Sequence, residues 1–257
     1  CGMQTVMRSH VGKVRQVNED QAWIGGLPGG VTAAIVADGM GGHRAGDVAS
    51  SLAVDSLVRS LQAWGNASSV ADAGPSLKEM IREANRAVYE TASLNEQYHN
   101  MGTTVVVALL DGNAGVIGHI GDSRAYRLRD GSLELLTEDH TLVNELAKSG
   151  QLSPQEVANH PRRNVLTRAL GTDREVEADV RLIDWRSGDV LLLCSDGLSG
   201  LVEPSDVKAA LEAADVLLEQ QAQRLIDLAL VAGGDDNVTV VLVTDEAKAY
   251  AAGGESA

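Results

Sequence analysis

Cysteine and long apolar runs are scarce in this sequence, and both absences narrow the class of protein. Only Cys1 and Cys194 occur among 257 residues, so there is no disulfide framework, which fits a reducing cytosol. Cys194 ends the apolar run that starts at Val190, where we expect a buried and unreactive thiol. No apolar stretch approaches the roughly 18 residues that indicate a membrane span. We therefore expect a cytoplasmic protein.

Positive charge is scarce as well. The chain has 21 Lys and Arg against 36 Asp and Glu, a net charge of -15, which argues against a nucleic-acid surface because phosphate backbones need clustered cations. The phosphate-binding glycine motifs are missing too, since Gly12-Lys13 is followed by Val14 rather than Ser or Thr. Nucleotide binding therefore has no support.

What the sequence does contain is a set of short acidic motifs where predicted strands begin or end. They are Asn18-Glu19-Asp20, Asp38 to His43, Gly121 to Arg124, Ser195-Asp196-Gly197 and Asp235-Asp236-Asn237. Each aspartate alone is more often a turn residue than a ligand. Four in the same topological position favour one shared site, whose carboxylate oxygens would hold hard divalent cations.

Other residues have both a functional and an ordinary interpretation. Arg15 either grips phosphate oxygens through its guanidinium or forms a surface salt bridge. His43 is a general acid, a helix-start residue or an exposed ring. The basic residues His160, Arg162 and Arg163 either touch a substrate or form a solvated cluster.

Hydrophobic periodicity predicts the secondary structure. Nearly continuous apolar runs predict buried strands, at residues 31–37, 103–110, 114–120, 189–194 and 238–243. Asp130-Gly131 predicts a tight hairpin turn between strands 124–129 and 132–137. Apolar residues at helical spacing predict helices over about 45–64, after Pro75, and about 216–230. We expect sheets covered by helices rather than a doubly wound parallel sheet, because single strands do not alternate with single helices.

The chain is expected to form one domain over residues 1–245. Residues 139–170 are polar and locally helical, with Pro154 and Pro161, and predict an inserted flap. Residues 246–257 predict a flexible tail. No internal repeat or long linker divides the remainder.

These motifs, taken in order, resemble the bacterial type 2C, or PPM, serine/threonine protein phosphatases. The resemblance runs from about Met7 to Thr244 and rests on the following segments: Arg8 to Asp20, Asp38 to His43 with Gly46, Met101 to Thr104, Gly121 to Arg124, Ser195 to Gly197 and Gly233 to Asn237. It is closest to the soluble, stand-alone phosphatases of Gram-positive bacteria that oppose eukaryotic-like kinases.

The resemblance implies an α+β fold with a central sandwich of two antiparallel β-sheets, flanked on both sides by helix pairs, and a flap beside the site. It implies a Mn²⁺- or Mg²⁺-dependent enzyme that hydrolyses phosphoserine and phosphothreonine in proteins with a metal-activated bridging water. Two catalytic ions and a third are implied, as are phosphorylated proteins and a cognate serine/threonine kinase as partners. With no visible oligomerisation signal, a monomer is expected.

The resemblance also implies a role for each motif residue. Asp38 would bridge two metals, with the Gly39 carbonyl on one of them, and Asp196 and Asp236 would hold the first. The remaining roles are Glu19 and Asp20 on the second metal through water, Asp122 with Asp196 on a third, Arg15 on the substrate phosphate, His43 as the acid and His160 as a substrate contact.

Two other classes of function compete with this interpretation. One is a non-catalytic regulatory module that keeps metal sites for stability, and the other is an unrelated metal-dependent hydrolase. No departure from the family's pattern removes a metal carboxylate, which argues against a non-catalytic module, and turnover of a phosphorylated substrate with and without Mn²⁺ separates all three.

Overall fold

A computed structural model describes residues 2–42, 44–65, 67–214 and 216–245. These residues contain eleven strands: β1 (Met3–His10), β2 (Asp20–Leu27), β3 (Val31–Met40), β4 (Gly102–Thr103), β5 (Val105–Leu110), β6 (Ala114–Ile120), β7 (Arg124–Arg129), β8 (Ser132–Leu135), β9 (Asp179–Asp184), β10 (Val190–Cys194) and β11 (Val238–Asp245). His43 and the predicted tail, residues 246–257, lie outside the described residues.

Seven α-helices occur in the same described ranges: α1 (Ala45–Trp64), α2 (Gly74–Leu94), α3 (Leu142–Lys148), α4 (Pro154–Ala158), α5 (Asp196–Ser199), α6 (Pro204–Glu212) and α7 (Leu218–Val231). None of the described helices is both long and apolar enough to cross a bilayer.

The strands form two antiparallel sheets that pack face to face. The first has the order β1-β11-β10-β7-β8, and the second has the order β2-β3-β5-β6-β9, with β4 paired to β3. An apolar layer between the sheets includes Val36, Val106, Leu191 and Val241. This arrangement confirms the predicted α+β sandwich of antiparallel sheets.

Helices cover the two outer faces of the sandwich. Helices α1 and α2 pack on the second sheet through a core that includes Leu57 and Ile81. Helices α6 and α7 pack on the first sheet through a core that includes Leu211 and Leu225. The central strands are therefore buried on both faces.

Strand β3 illustrates how the sequence encodes this layering. Successive side chains of a strand point to opposite faces, so Ala33, Ile35 and Ala37 pack towards the helices. Ala34 and Val36 pack between the sheets. A strand that lies between two apolar layers needs no polar face, which is why β3 reads as one apolar run.

Several local predictions are confirmed, and some strand boundaries are wrong. Helix α1 spans the predicted residues, and Asp130 (φ 48) and Gly131 (φ 73) form the hairpin turn with two positive φ angles. The strand predicted over 103–110 is instead broken at Thr104. The strand predicted to end at Ala37 continues to Met40, because Gly39 and Met40 pair with β4.

Cys194 is buried, as predicted. Its burial raises the pKa of the thiol to about 12, so the thiol stays protonated at neutral pH. The side chain packs among the apolar residues between β10 and the covering helices. It is a core residue.

Candidate metal centre

Asp38 lies inside β3 and is held there by β2 on one side and by Thr104, between β4 and β5, on the other. It pairs across the sheet with Asp20 at the start of β2. On the other side, its backbone N–H donates to Thr104 Oγ1 at 3.0 Å, and its carbonyl accepts from the Thr104 N–H at 2.9 Å. A carboxylate fixed by backbone bonds on a central strand has little freedom to move.

Asp196 and Asp236 reach the same point from the first sheet. Asp196 begins α5 directly after β10, and Asp236 stands two residues before β11. Carboxylate oxygens of Asp38, Asp196 and Asp236 all lie within 4.8 Å of one another. The fold thus gathers three aspartates that are as much as 198 positions apart in the chain.

Two glycines allow this close approach of backbones. A Cβ on Gly39 would stand 1.8 Å from the Gly46 carbonyl oxygen, and a Cβ on Gly197 would stand 1.9 Å from the Asn237 carbonyl oxygen. Atoms cannot approach so closely, so neither position accepts a side chain without moving the backbone. Both glycines adjoin an aspartate of the cluster.

Asn237 fastens the loop between β1 and β2 to this cluster. Its Oδ1 accepts from the Glu19 N–H at 2.9 Å, and its Nδ2 donates to the carbonyls of Val11 at 2.9 Å and Val17 at 3.0 Å. The loop carries Arg15, whose Nε lies 3.5 Å from Asp236 Oδ1 while half of its side chain is exposed. Arg15 therefore reaches the carboxylates from the open side.

Glu19 and Asp20 lie deeper. The Glu19 carbonyl accepts from Gly39 N–H at 3.1 Å and from Ser50 Oγ at 2.7 Å. Asp20 Oδ2 accepts from Thr239 Oγ1 at 2.7 Å and from Ser195 Oγ at 2.9 Å. The Asp20 carboxylate is therefore held by residues beside or on strands of the first sheet, and the Glu19 backbone by β3 and α1.

The carboxylates retain oxygens without any partner, which is the arrangement a cation requires. Glu19 Oε2, Asp20 Oδ1 and Asp196 Oδ1 are buried and have no hydrogen-bond partner among the described residues. A buried carboxylate oxygen with no partner is costly. A donor set made of oxygens alone fits Mg²⁺ or Mn²⁺ better than a softer metal.

Burial and mutual repulsion disfavour the charged forms of these carboxylates. Burial, followed by the charges of Asp20 and Asp196, holds the pKa of Asp38 well above its ordinary value. Burial raises the pKa of Asp20 to about 7, although hydrogen bonds from Thr239 and Ser195 oppose the shift. Divalent cations would offset this concentration of negative charge.

The metal-free protein is therefore expected to lose stability as pH rises. The pKa of Asp20 is about 7 in the folded protein, against 3.8 for the ordinary group. Its contribution to the free energy of unfolding is therefore complete below about pH 4 and is lost as pH rises through 7. In chelator, the melting temperature should fall by on the order of 5 °C between pH 5.5 and 8. Mn²⁺ should restore more stability at pH 8 than at pH 5.5. Equal melting temperatures at both pH values, with and without Mn²⁺, would contradict this electrostatic account.

Asp122 lies at the edge of the cluster, in the turn between β6 and β7. It is buried, and that burial, together with the charges of Asp196 and Asp139, raises its pKa well above the ordinary value. Arg124 forms a two-point ion pair with Asp139, with distances of 2.9 and 2.6 Å. This pair joins β7 to the first residue of the flap.

A cleft of about 430 Å³ opens over the carboxylates. One wall is the flap, with Val157, Arg163 and Asn164, and the opposite wall follows α5 to Pro204. Arg15, Asp122, Asp196 and Asp236 all line the cleft, so it gives access to the cluster. The flap, residues 139–170, contains α3 and α4.

The predicted residues thus divide into those that converge and those that do not. Arg15, Glu19, Asp20, Asp38, Gly39, Asp122, Asp196 and Asp236 lie at or beside the cluster. His160 does not line the cleft, and its Nδ1 accepts from the Arg162 N–H at 3.0 Å. Arg163 lines it instead. His43 falls outside the described residues.

Sequence reasoning missed the residues that position the carboxylates. Asn237 gives the strongest signal, because an amide directly after Asp236 can bond to several backbone groups at once. Thr104 and Ser195 stand in motifs that carry the resemblance, but their bonds, like that of Asp139, depend on partners that only the fold brings near.

The fold and the cluster define an α+β sandwich protein with an oxygen-lined cleft suited to divalent cations. The sequence matches the family described as protein phosphatase 2C over residues 8–245. The chain belongs to this family, which confirms the resemblance inferred from its motifs. It is a hydrolase, a serine/threonine protein phosphatase.

Individual relatives agree with this assignment. The chain is 40% identical to serine/threonine phosphatase stp of Listeria monocytogenes over 244 residues, which cover 94% of this chain and 95% of that protein. The structure of serine/threonine phosphatase Stp1 from Staphylococcus aureus superposes with a TM-score of 0.90 at 35% identity, covering 96% of each chain. The catalytic domain of serine threonine protein phosphatase PstP in complex with two manganese ions superposes with a TM-score of 0.82 at 38% identity, covering 95% of this chain and 99% of that one.

Proposed function

We propose that the cluster around Asp38 is the catalytic centre and that it works with Mn²⁺ or Mg²⁺. The observation that carries the proposal is the convergence of one carboxylate oxygen each from Asp38, Asp196 and Asp236 to within 4.8 Å, from three separate parts of the chain. The unpartnered oxygens of Glu19, Asp20 and Asp196 support it. A relative that binds two manganese ions at a TM-score of 0.82 supports it further.

Each carboxylate has its own task in this centre. Asp38 and the Gly39 carbonyl would hold cations together with Asp196 and Asp236, which would hold the first cation. Glu19 and Asp20 would act on the second through water, and Asp122 with Asp196 would hold a third. When bound, the cations supply hydroxide at neutral pH.

The protein's own side chains bind and orient the phosphoryl group. Arg15 is half exposed at the mouth of the cleft and is loosely tied to Asp236 at 3.5 Å, so its guanidinium is free to turn towards phosphate oxygens. There it would stabilise the negative charge that develops on those oxygens in the transition state. His43 gives a proton to the leaving seryl or threonyl oxygen. On the flap, Arg163 lines the cleft and is a better placed substrate contact than His160.

Arg15→Ala is expected to raise KM for a phosphothreonine peptide by about tenfold to a hundredfold, because a charge-assisted contact to phosphate is lost. Arg15→Lys should recover only part of the loss, since an ammonium cannot form the two-point contact. Steady-state kinetics at saturating Mn²⁺ measures both. Unchanged KM in Arg15→Ala would remove this residue from substrate binding.

The proposed function is tested by turnover with and without metal. The purified protein is incubated with p-nitrophenyl phosphate and with a phosphothreonine peptide, first in chelator and then in Mn²⁺. We expect phosphate release from both substrates only with Mn²⁺. Folded protein that binds Mn²⁺ but releases no phosphate would favour a regulatory module, and turnover of phosphodiesters or amides alone would favour another hydrolase.

The biological setting is proposed from the family resemblance. The protein acts in the cytoplasm as a monomer and removes phosphate groups that a cognate eukaryotic-like serine/threonine kinase adds. Residues 1–245 form a single catalytic domain with a flap over about 139–170. Similarity over 95% of the length of a Listeria phosphatase supports the single-domain arrangement.

A further inference from the structure

His140 is the point at which the flap is fastened to the sandwich. It is the second residue of the flap and is 5% exposed. Its backbone N–H donates to the Gly121 carbonyl at 3.1 Å, and its Nδ1 accepts from the Gly121 N–H at 3.0 Å. One residue therefore satisfies both backbone groups of Gly121.

The other end of the flap meets the same histidine. The His140 carbonyl accepts from the Thr167 N–H at 2.9 Å. His140 Nε2 donates to Asp179 Oδ2 at 2.8 Å, and Asp179 Oδ1 accepts from Arg168 Nη1 at 2.9 Å. Both ends of the flap are thus joined to each other and to β9 through His140 and Asp179.

The hydrogen bonds of His140 also fix the position of its ring proton. A backbone N–H can only donate, so Nδ1 must be the acceptor. The ring proton must therefore lie on Nε2, which donates a hydrogen bond to Asp179. The ring stacks on His119, with centroids 4.5 Å apart and planes 14° apart. His119 Nε2 lies 2.8 Å from the Glu138 carbonyl, which can only accept, so this nitrogen is protonated too.

These protons argue against a metal site at this point, although His119, His140 and Asp179 bring ligand atoms within 4.8 Å of one another. A histidine binds a metal through a bare nitrogen lone pair in the plane of the ring. Rings that are nearly parallel and stacked do not direct such lone pairs at one ion. The cluster therefore serves to hold parts of the chain together.

His140 holds Gly121, the residue directly before Asp122. Gly121 has φ +104, and a Cβ at this position would stand 2.7 Å from Thr104 Cγ2. Gly121 is therefore confined between Thr104, which bonds the backbone of Asp38, and His140, which belongs to the flap. A shift of His140 would move Gly121 and, with it, the adjoining Asp122.

We infer that His140 is a positioning residue that couples the seating of the flap to the orientation of the Asp122 turn. This inference rests on the proposed function only in taking Asp122 as a metal ligand. If the coupling holds, weakening His140 loosens the flap and the Asp122 turn together. It then weakens the use of Mn²⁺ and of peptide substrate, both of which depend on that wall of the cleft.

Two variants separate the roles of the two ring nitrogens of His140. In His140→Asn, the amide oxygen stands near the position of Nδ1 and keeps the bond from the Gly121 N–H, but the side chain is too short for Asp179. In His140→Gln, the amide reaches towards Asp179 but leaves the Gly121 N–H without its acceptor. His99→Asn and His99→Gln are matched controls, because His99 is exposed and makes no side-chain hydrogen bond to a described residue.

The first readout is amide hydrogen exchange in the metal-free protein, which does not depend on activity. His140→Gln should exchange the Gly121 and Thr167 amides about tenfold faster than the parent, whereas His140→Asn should accelerate Thr167 but leave Gly121 within about threefold. The second readout is turnover of a phosphothreonine peptide. His140→Gln should need about tenfold more Mn²⁺ for half-maximal rate, and His140→Asn should need less than that.

Wild-type exchange at Gly121 and Thr167 in His140→Gln would overturn the inference. So would a uniform acceleration of all amides with a lowered melting temperature, since that pattern indicates general destabilisation. If one variant fails to fold, the other still tests one half of the coupling. If the parent protein shows no Mn²⁺-dependent turnover, the proposed function fails, while the exchange data still decide whether His140 couples the flap to Gly121.

Discussion

Asp38→Asn is expected to reduce Mn²⁺-dependent turnover by on the order of a thousandfold while leaving the fold intact. Asparagine keeps the shape of the side chain and removes the charge that two cations would share. Because burial and neighbouring carboxylates hold the pKa of Asp38 well above its ordinary value, removing the charge also relieves repulsion. The metal-free variant should therefore melt no lower than the metal-free parent.

The combination of these two results is what distinguishes a metal ligand from a structural aspartate. Asp55→Asn is a suitable control, because Asp55 is exposed on α1 and away from the cluster. It should alter neither turnover nor the rise in melting temperature that Mn²⁺ produces, whereas Asp38→Asn should abolish that rise. Full turnover in Asp38→Asn, or loss of its fold, would be inconsistent with the assignment.

Gly39→Ala is expected to damage both stability and activity. The new Cβ would stand 1.8 Å from the Gly46 carbonyl oxygen and 2.9 Å from the Glu19 carbonyl oxygen, and neither is the end of a flexible side chain. Helix α1 or strand β3 must shift, at a cost of about 1–3 kcal/mol in the free energy of unfolding. A displacement of the neighbouring Asp38 by about 1 Å should reduce kcat/KM roughly a hundredfold.

Gly26→Ala provides the matched comparison for this glycine. Gly26 lies on β2, and a Cβ there meets no atom within 4 Å, so only a small change in stability is expected. Thermal unfolding and steady-state kinetics of both variants measure the difference. A Gly39→Ala protein with parental kcat/KM would show that the close approach of α1 and β3 is not needed for the site.

The parts of the fold that the sequence predicts are those buried on both faces or repeated along a helix. Val54, Leu57 and Leu61 lie on one face of α1 and define its span, because the same residues form its core contact. Strands β1, β2 and β9 escaped prediction for the opposite reason. They are edge strands of their sheets, and β1 has only one buried residue, Val6. An edge strand with a solvated face has no continuous apolar pattern to read.

The site shows a similar division. Asp38, Asp196 and Asp236 could be found in the sequence because each adjoins an apolar strand, and a strand end is a recognisable place. The residues that orient them could not, because Thr104 and Asn237 act through backbone partners that only the folded chain brings near. The sequence also does not determine which basic flap residue faces the cleft, because His160, Arg162 and Arg163 are close neighbours with similar polarity.

The most direct test of this account is a crystal structure of the protein grown with Mn²⁺, with anomalous diffraction recorded at the manganese absorption edge. We expect two anomalous peaks that share the Asp38 carboxylate, with Asp196 and Asp236 as ligands of one of them. Crystals that contain Mn²⁺ elsewhere, or none at these carboxylates, while the protein remains an active phosphatase, would contradict it.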